Sequence, residues 1–118
     1  MTRLVFSLLA LLAPLSGVAR PPKTPPVSEA QVHVDQGNTY FDAKQWDQAI
    51  AEYTVALALD PHPDLVWNIA RSHEESGRLA EARALFERYA VMTSVEADQE
   101  AARSKIEALV AREAKARK

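Results

Sequence analysis

The sequence predicts an all-α fold of antiparallel helical hairpins stacked into a short solenoid, and three observations lead to it. First, Gly37, Tyr40, Ala49, Tyr53 and Ala56 recur as Ala70, His73, Ala82, Phe86 and Tyr89 at a constant offset of 33 residues. Self-similarity at a fixed period of this size marks repeated supersecondary units. Second, each copy places a small residue (Ala49, Ala82) four positions before an aromatic one (Tyr53, Phe86). That spacing puts both on one helical face, so one helix leaves a hole and fills its neighbour's. Third, the punctuation is regular: Lys44 to Trp46 and Gly77 to Leu79 mark turns inside each unit, and Asp60-Pro61-His62-Pro63 separates the units.

The elements follow in order. Arg3 precedes the apolar run Leu4 to Leu15, and Gly17-Val18-Ala19 offers small residues for a signal peptidase, so residues 1–19 fit a cleaved secretory signal. The run falls short of the about 20 residues that span a bilayer, and the alternative is an anchor that stays attached. With no cysteine anywhere, neither lipid attachment nor a disulfide framework is available. Export to a periplasmic or cell-envelope setting is the expected localisation. Residues 20–28 begin Arg-Pro-Pro-Lys-Thr-Pro-Pro, which cannot form helix. They read as a disordered leader, with a spacer or a proline-rich ligand as the functional alternative.

Residues 29–118 form one domain, with helices expected at 29–42, 46–59, 64–76, 79–92 and 95–115. A proline inside a helix costs about 3 kcal/mol, so the second helix must end near Leu59, whereas Pro63 suits the first turn of the third. Thr93 and Glu96 suggest a capping box for the last helix, which continues through Ala97, Ala101, Ile106, Leu109 and Val110.

The spacing resembles the tetratricopeptide repeat family, whose 34-residue pattern runs W-x2-L-G-x2-Y, then A-x3-F-x2-A, then P. The first copy, about 30–62, carries Gly37, Tyr40, Ala49, Tyr53, Ala56 and Pro61 in register, with His33 and Gln36 at the tryptophan and leucine positions. The second, about 63–95, carries Val66, Ile69, Ala70, Ala82 and Phe86, but His73 replaces the tyrosine, Tyr89 the late alanine and Ser94 the closing proline. The resemblance implies a right-handed solenoid of two repeats closed by a C-terminal capping helix. Three units are the usual minimum for autonomous stability, so self-association or stabilisation by a partner is expected of so short an array.

Charge is unevenly spread. Residues 29–100 hold 14 acidic and 5 basic side chains, whereas residues 101–118 hold 6 basic and 2 acidic. The tail residues Arg112, Lys115, Arg117 and Lys118 offer weak contact with an anionic membrane surface, or simply complement the negative end of their own helix dipole. The acidic domain lacks the positive field that nucleic acid requires.

Nothing points to catalysis, a cofactor or a metal. Gly17, Gly37 and Gly77 are isolated, so no phosphate loop exists. His33, His62 and His73 form no i, i+4 pair; the first and last read as core-edge side chains and His62 as a solvated turn residue. Asp42 with Asp47 and Glu74 with Glu75 read as charges on exposed helix faces rather than a catalytic pair.

The reading that remains is a non-catalytic protein-protein interaction module. By the resemblance, the first helix of each hairpin lines a concave groove. Its lining would be Gln31, Val34, Asn38, Phe41 and Asp42, then Asp64, Trp67, Arg71, Glu74 and Glu75. Trp67 and Arg71 share a face, the composition of a binding hot spot; the alternative is that Trp67 packs against the next helix while Arg71 pairs with Glu74 or Glu75. Asn38, Asn68 and Arg71 stand where the relatives that clamp a C-terminal carboxylate carry asparagine or basic residues, but Val34 replaces their first lysine and a full third unit is lacking, so that specialisation is not expected. An acidic groove suits a basic segment of a partner protein. Two classes of function follow: an exported adaptor or scaffold holding such a segment, or a self-associating structural module of the envelope.

Overall fold

The computed structural model describes residues 26–118 and the isolated Gly17; the expected signal and most of the leader lie outside the described residues. Five helices follow one another: α1 (Glu29–Asp42), α2 (Trp46–Leu59), α3 (Pro63–Glu75), α4 (Leu79–Met92) and α5 (Glu96–Ala116). Each packs against its neighbours in the chain, giving an all-α array of antiparallel pairs. The third helix starts and ends one residue earlier than expected, and the fifth starts and ends one later.

Local chemistry sets these boundaries. The Ser28 hydroxyl accepts a hydrogen bond from the Gln31 N–H at 3.1 Å and caps α1. His62, expected to be a plain turn residue, caps α3: its Nδ1 accepts from the Asp64 N–H at 3.3 Å, with Pro63 in the first turn. The expected capping box at α5 is displaced, because Val95 takes the cap position and offers no side-chain acceptor. The Thr93 hydroxyl instead accepts from the Val95 N–H at 3.2 Å, and Gln99 Nε2 donates back to the Thr93 carbonyl at 3.0 Å.

The two hairpin turns are the same motif with different residues. Lys44 N–H donates to the Phe41 carbonyl and Gln45 N–H to the Tyr40 carbonyl; Gly77 N–H donates to Glu74 and Arg78 N–H to His73. These are Schellman closures that need a left-handed residue after the helix. Gly77 supplies it at φ 81°, while Lys44 adopts φ 59° with a side chain that disfavours it.

The core is continuous along the array. Ala49, Tyr53, Ala56, Leu65 and Ile69 bury the α1–α2–α3 junction. Ala70, Ala82, Phe86 and Leu109 form a second cluster, and Val66, Tyr89 and Ala102 a third. Leu85 borders all three. The two helices of the first hairpin approach closely at Gly37, which is buried: a Cβ there would lie 2.6 Å from Tyr53 Cε1. That ring is fixed, because the Tyr53 hydroxyl donates to Asn38 Oδ1 at 2.7 Å, so alanine at position 37 must displace it.

The turn motif makes a signed prediction for urea unfolding. Lys44→Gly should stabilise the protein by about 1 kcal/mol, and Gly77→Ala should destabilise it by about 1 kcal/mol. The Gly77 site has open space around it, so a loss there reports backbone strain alone.

Candidate functional site

Helices α1, α3 and α5 bring their side chains onto one face, and this face divides into an open half and a tied half. The open half lies at the N-terminal ends of α1 and α3. A groove of about 350 Å³ runs there between Gln31 and Val34 of α1 and Leu65 and Asn68 of α3, with Asp60 and Asp64 also in its lining. A second hollow of about 400 Å³ lies between Trp67 and Asn68 of α3 and Asp98 and Ala101 of α5, floored by Tyr89. Asp64 and Asn68 line both. Burial raises the pKa of the Tyr89 phenol, and the Asp98 and Asp64 carboxylates push it further the same way.

The other half is tied across by side chains. Arg71 of α3 stacks its guanidinium over the Phe41 ring of α1, 4.7 Å from the centroid. Phe41 meets Trp46 edge-on at 5.0 Å. Glu74 receives hydrogen bonds from Lys105 Nζ at 3.0 Å and Arg112 Nη1 at 3.4 Å, both from α5. Arg83 of α4 reaches Glu113 of α5 at 2.9 Å. A carboxylate that is mostly shielded and doubly paired carries little charge outward.

The residues expected to line the groove are therefore distributed unequally. Val34 lines the α1–α3 groove while packing on the first core cluster. Trp67 lines the α3–α5 hollow, yet its ring packs edge-on against Phe86 at 4.8 Å and tilted against Tyr89 at 5.0 Å. Asn38 is exposed and accepts from Tyr53. Arg71 pairs with neither Glu74 nor Glu75, as the local alternative had it, but with Phe41. Asp42 and Glu75 are exposed. Burial raises the pKa of the Tyr53 phenol, the Asp42 carboxylate pushes it further the same way, and the Arg71 guanidinium opposes.

Several residues of the open half went unmarked in the sequence as groove residues: Asp60, Leu65, Asp98 and Ala101. Their common signal is position in the first two turns of α3 and α5 or just before them. The basic tail is also reassigned in part, since Arg112 turns onto Glu74.

Among the described residues, no group of three or more His, Asp or Glu side chains could hold a metal ion, and no helix is long and apolar enough to cross a membrane. His33 Nδ1 lies 2.6 Å from Glu52 Oε2, joining α1 to α2 at the core edge.

A family model described as tetratricopeptide repeat matches residues 34–102, from within α1 to the first turns of α5. Comparison with curated proteins and with solved structures finds no match.

Two neighbouring residues of α3 that line the same hollow respond differently to truncation. Trp67→Ala should cost about 3 kcal/mol in urea unfolding, because it opens a void between α3 and α4. Asn68→Ala should stay within about 0.5 kcal/mol of the parent protein, since no side-chain hydrogen bond involves Asn68 among the described residues.

Proposed function

The chain belongs to the tetratricopeptide repeat family, and on that premise we propose that it is an exported adaptor that holds an extended segment of a partner protein. The module is non-catalytic, as its family implies. The segment lies across the first helices of the two hairpins and the start of α5. The observation that carries this reading is the pair of hollows on either side of α3, which share Asp64 and Asn68. A single strand crossing α3 would meet both.

The chemistry of the open half suits such a strand. An asparagine side chain offers both a donor and an acceptor to a peptide backbone. Val34, Leu65 and Trp67 offer apolar contact beside it. Asp60, Asp64 and Asp98 favour lysine or arginine in the segment, a preference that acts on encounter rate and register more than on affinity. In this reading α5 closes a two-repeat array, burying Leu109 and Ala102 against α4.

Trp67→Ala is a poor probe of this site because the same ring supports the core. Peptides selected from a random library on the full chain should instead bind Asn68→Ala at least tenfold more weakly, as should Asp64→Asn for the peptides that carry lysine or arginine. Unchanged affinity in both variants would contradict this placement of the segment. Light scattering decides between this reading and self-association: a monomer is expected, and a stable dimer that excludes selected peptides would favour the structural alternative.

Export is supported by the arrangement of Arg3, the Leu4 to Leu15 run and Gly17-Val18-Ala19. N-terminal sequencing of the protein recovered from its host should read Arg20 as the first residue. Recovery of the chain with residues 1–19 intact would contradict cleavage.

A further inference from the structure

The turn between α3 and α4 holds a cluster that the binding reading does not use. Arg78, the residue that enters α4, donates from Nε to His73 Nδ1 at 2.9 Å, and its Nη1 lies 2.8 Å from Asp47 Oδ1. Arg78 thereby ties the end of α3, in the second hairpin, to the first turn of α2, in the first. Its Nη2 is buried and finds no hydrogen-bond partner among the described residues.

The two anchors are unequal. Asp47 is 80 % exposed, and a pair that open is screened by solvent and contributes little. The imidazole is only partly exposed and supplies the shielded acceptor. A guanidinium has donors only, so the bond from Nε–H requires a lone pair on Nδ1 and hence the neutral imidazole that carries its proton on Nε2. A proton taken from solvent onto Nδ1 consumes that lone pair and sets two cationic donors against each other.

We infer that His73, Arg78 and Asp47 form an acid-sensitive clamp in which neutral His73 holds Arg78 in place to meet Asp47 of the first hairpin, a hold that is lost when its Nδ1 is protonated. Among the described residues, the charged groups facing His73 come from the turn, α4 and α2. Arg78 from the turn opposes protonation, while Glu81 from α4 and Asp47 from α2 favour it. Burial is the largest influence and Arg78 the next, so the imidazole sits below its ordinary value. The native protein therefore binds fewer protons at this site than the unfolded chain. The clamp's contribution is complete above about pH 6.5, the ordinary histidine value, and is lost as pH falls below it toward the lowered native value. The inference is independent of where a partner binds.

Thermal unfolding of the full chain tests it. Between about pH 7.5 and 5.5 the Tm of the parent protein should fall by roughly 4 °C more than that of His73→Gln. The glutamine oxygen can accept from Arg78 but does not titrate. Equal falls in the two proteins would overturn the clamp. Should His73→Gln not fold, NMR of the parent protein gives the same decision. The His73 imidazole should titrate below about pH 6.5, and the Arg78 Nε–H signal should disappear with the same midpoint. Titration of His73 at or above the ordinary value, or an Arg78 signal indifferent to it, would overturn the proposal.

Discussion

The structure depends on one steric constraint: within each hairpin, a large aromatic of the second helix must seat on the smallest residue of the first. In the first unit that pair is Tyr53 on Gly37, so close that even a methyl group would collide with the ring. In the second, the shared cluster holds Ala70 and Phe86, both fully buried. The approach brings the backbones together and lets the turns close through the same pair of backbone hydrogen bonds. With the hairpins held this tightly, Leu85 and Trp67 can bridge from one cluster to the next. The period of 33 residues is the sequence-level trace of that geometry.

The same stacking accounts for the division of the face made by α1, α3 and α5. Repeated hairpins place equivalent side chains side by side, so an aromatic at position 41 meets an arginine on α3, and a glutamate at position 74 meets cations on α5. These ties draw the helices together at one end. At the other end the equivalent positions carry shorter side chains such as Asp64 and Asn68, and grooves remain. Of the acidic residues expected on the face, Asp64 lines the hollows together with Asp60 and Asp98, Asp42 and Glu75 are exposed outside those linings, and Glu74 is paired with Lys105 and Arg112.

Much of this was legible in the residues because the signals are local. Helix limits follow from Pro61, Pro63, the two turns and the aromatic spacing, and the expected and observed ends differ by one residue at most. What was not legible is chiefly long in range: Glu74 pairs 31 and 38 positions away, and Arg71 prefers the Phe41 ring to the carboxylates on its own helix. No helical periodicity encodes such choices, since they depend on how far two helices are apart. Trp67 shows the intermediate case. Its helical face was evident, but a residue that both lines a hollow and packs on Phe86 and Tyr89 has two roles that sequence cannot separate. The bridge from His73 to Arg78 is different again, since the two residues simply bracket the Gly77 turn. Once the left-handed closure is placed, their meeting follows from local geometry.

The central claim is that the open ends of α1, α3 and α5 are the working surface. Amide hydrogen exchange of the full chain, with and without a saturating selected peptide, tests it most directly. Protection should appear in residues 31–34, 64–68 and 98–101 and leave the outer face of α2 and α4 unchanged. Protection confined to α2 and α4, with those three stretches unaffected, would contradict the account.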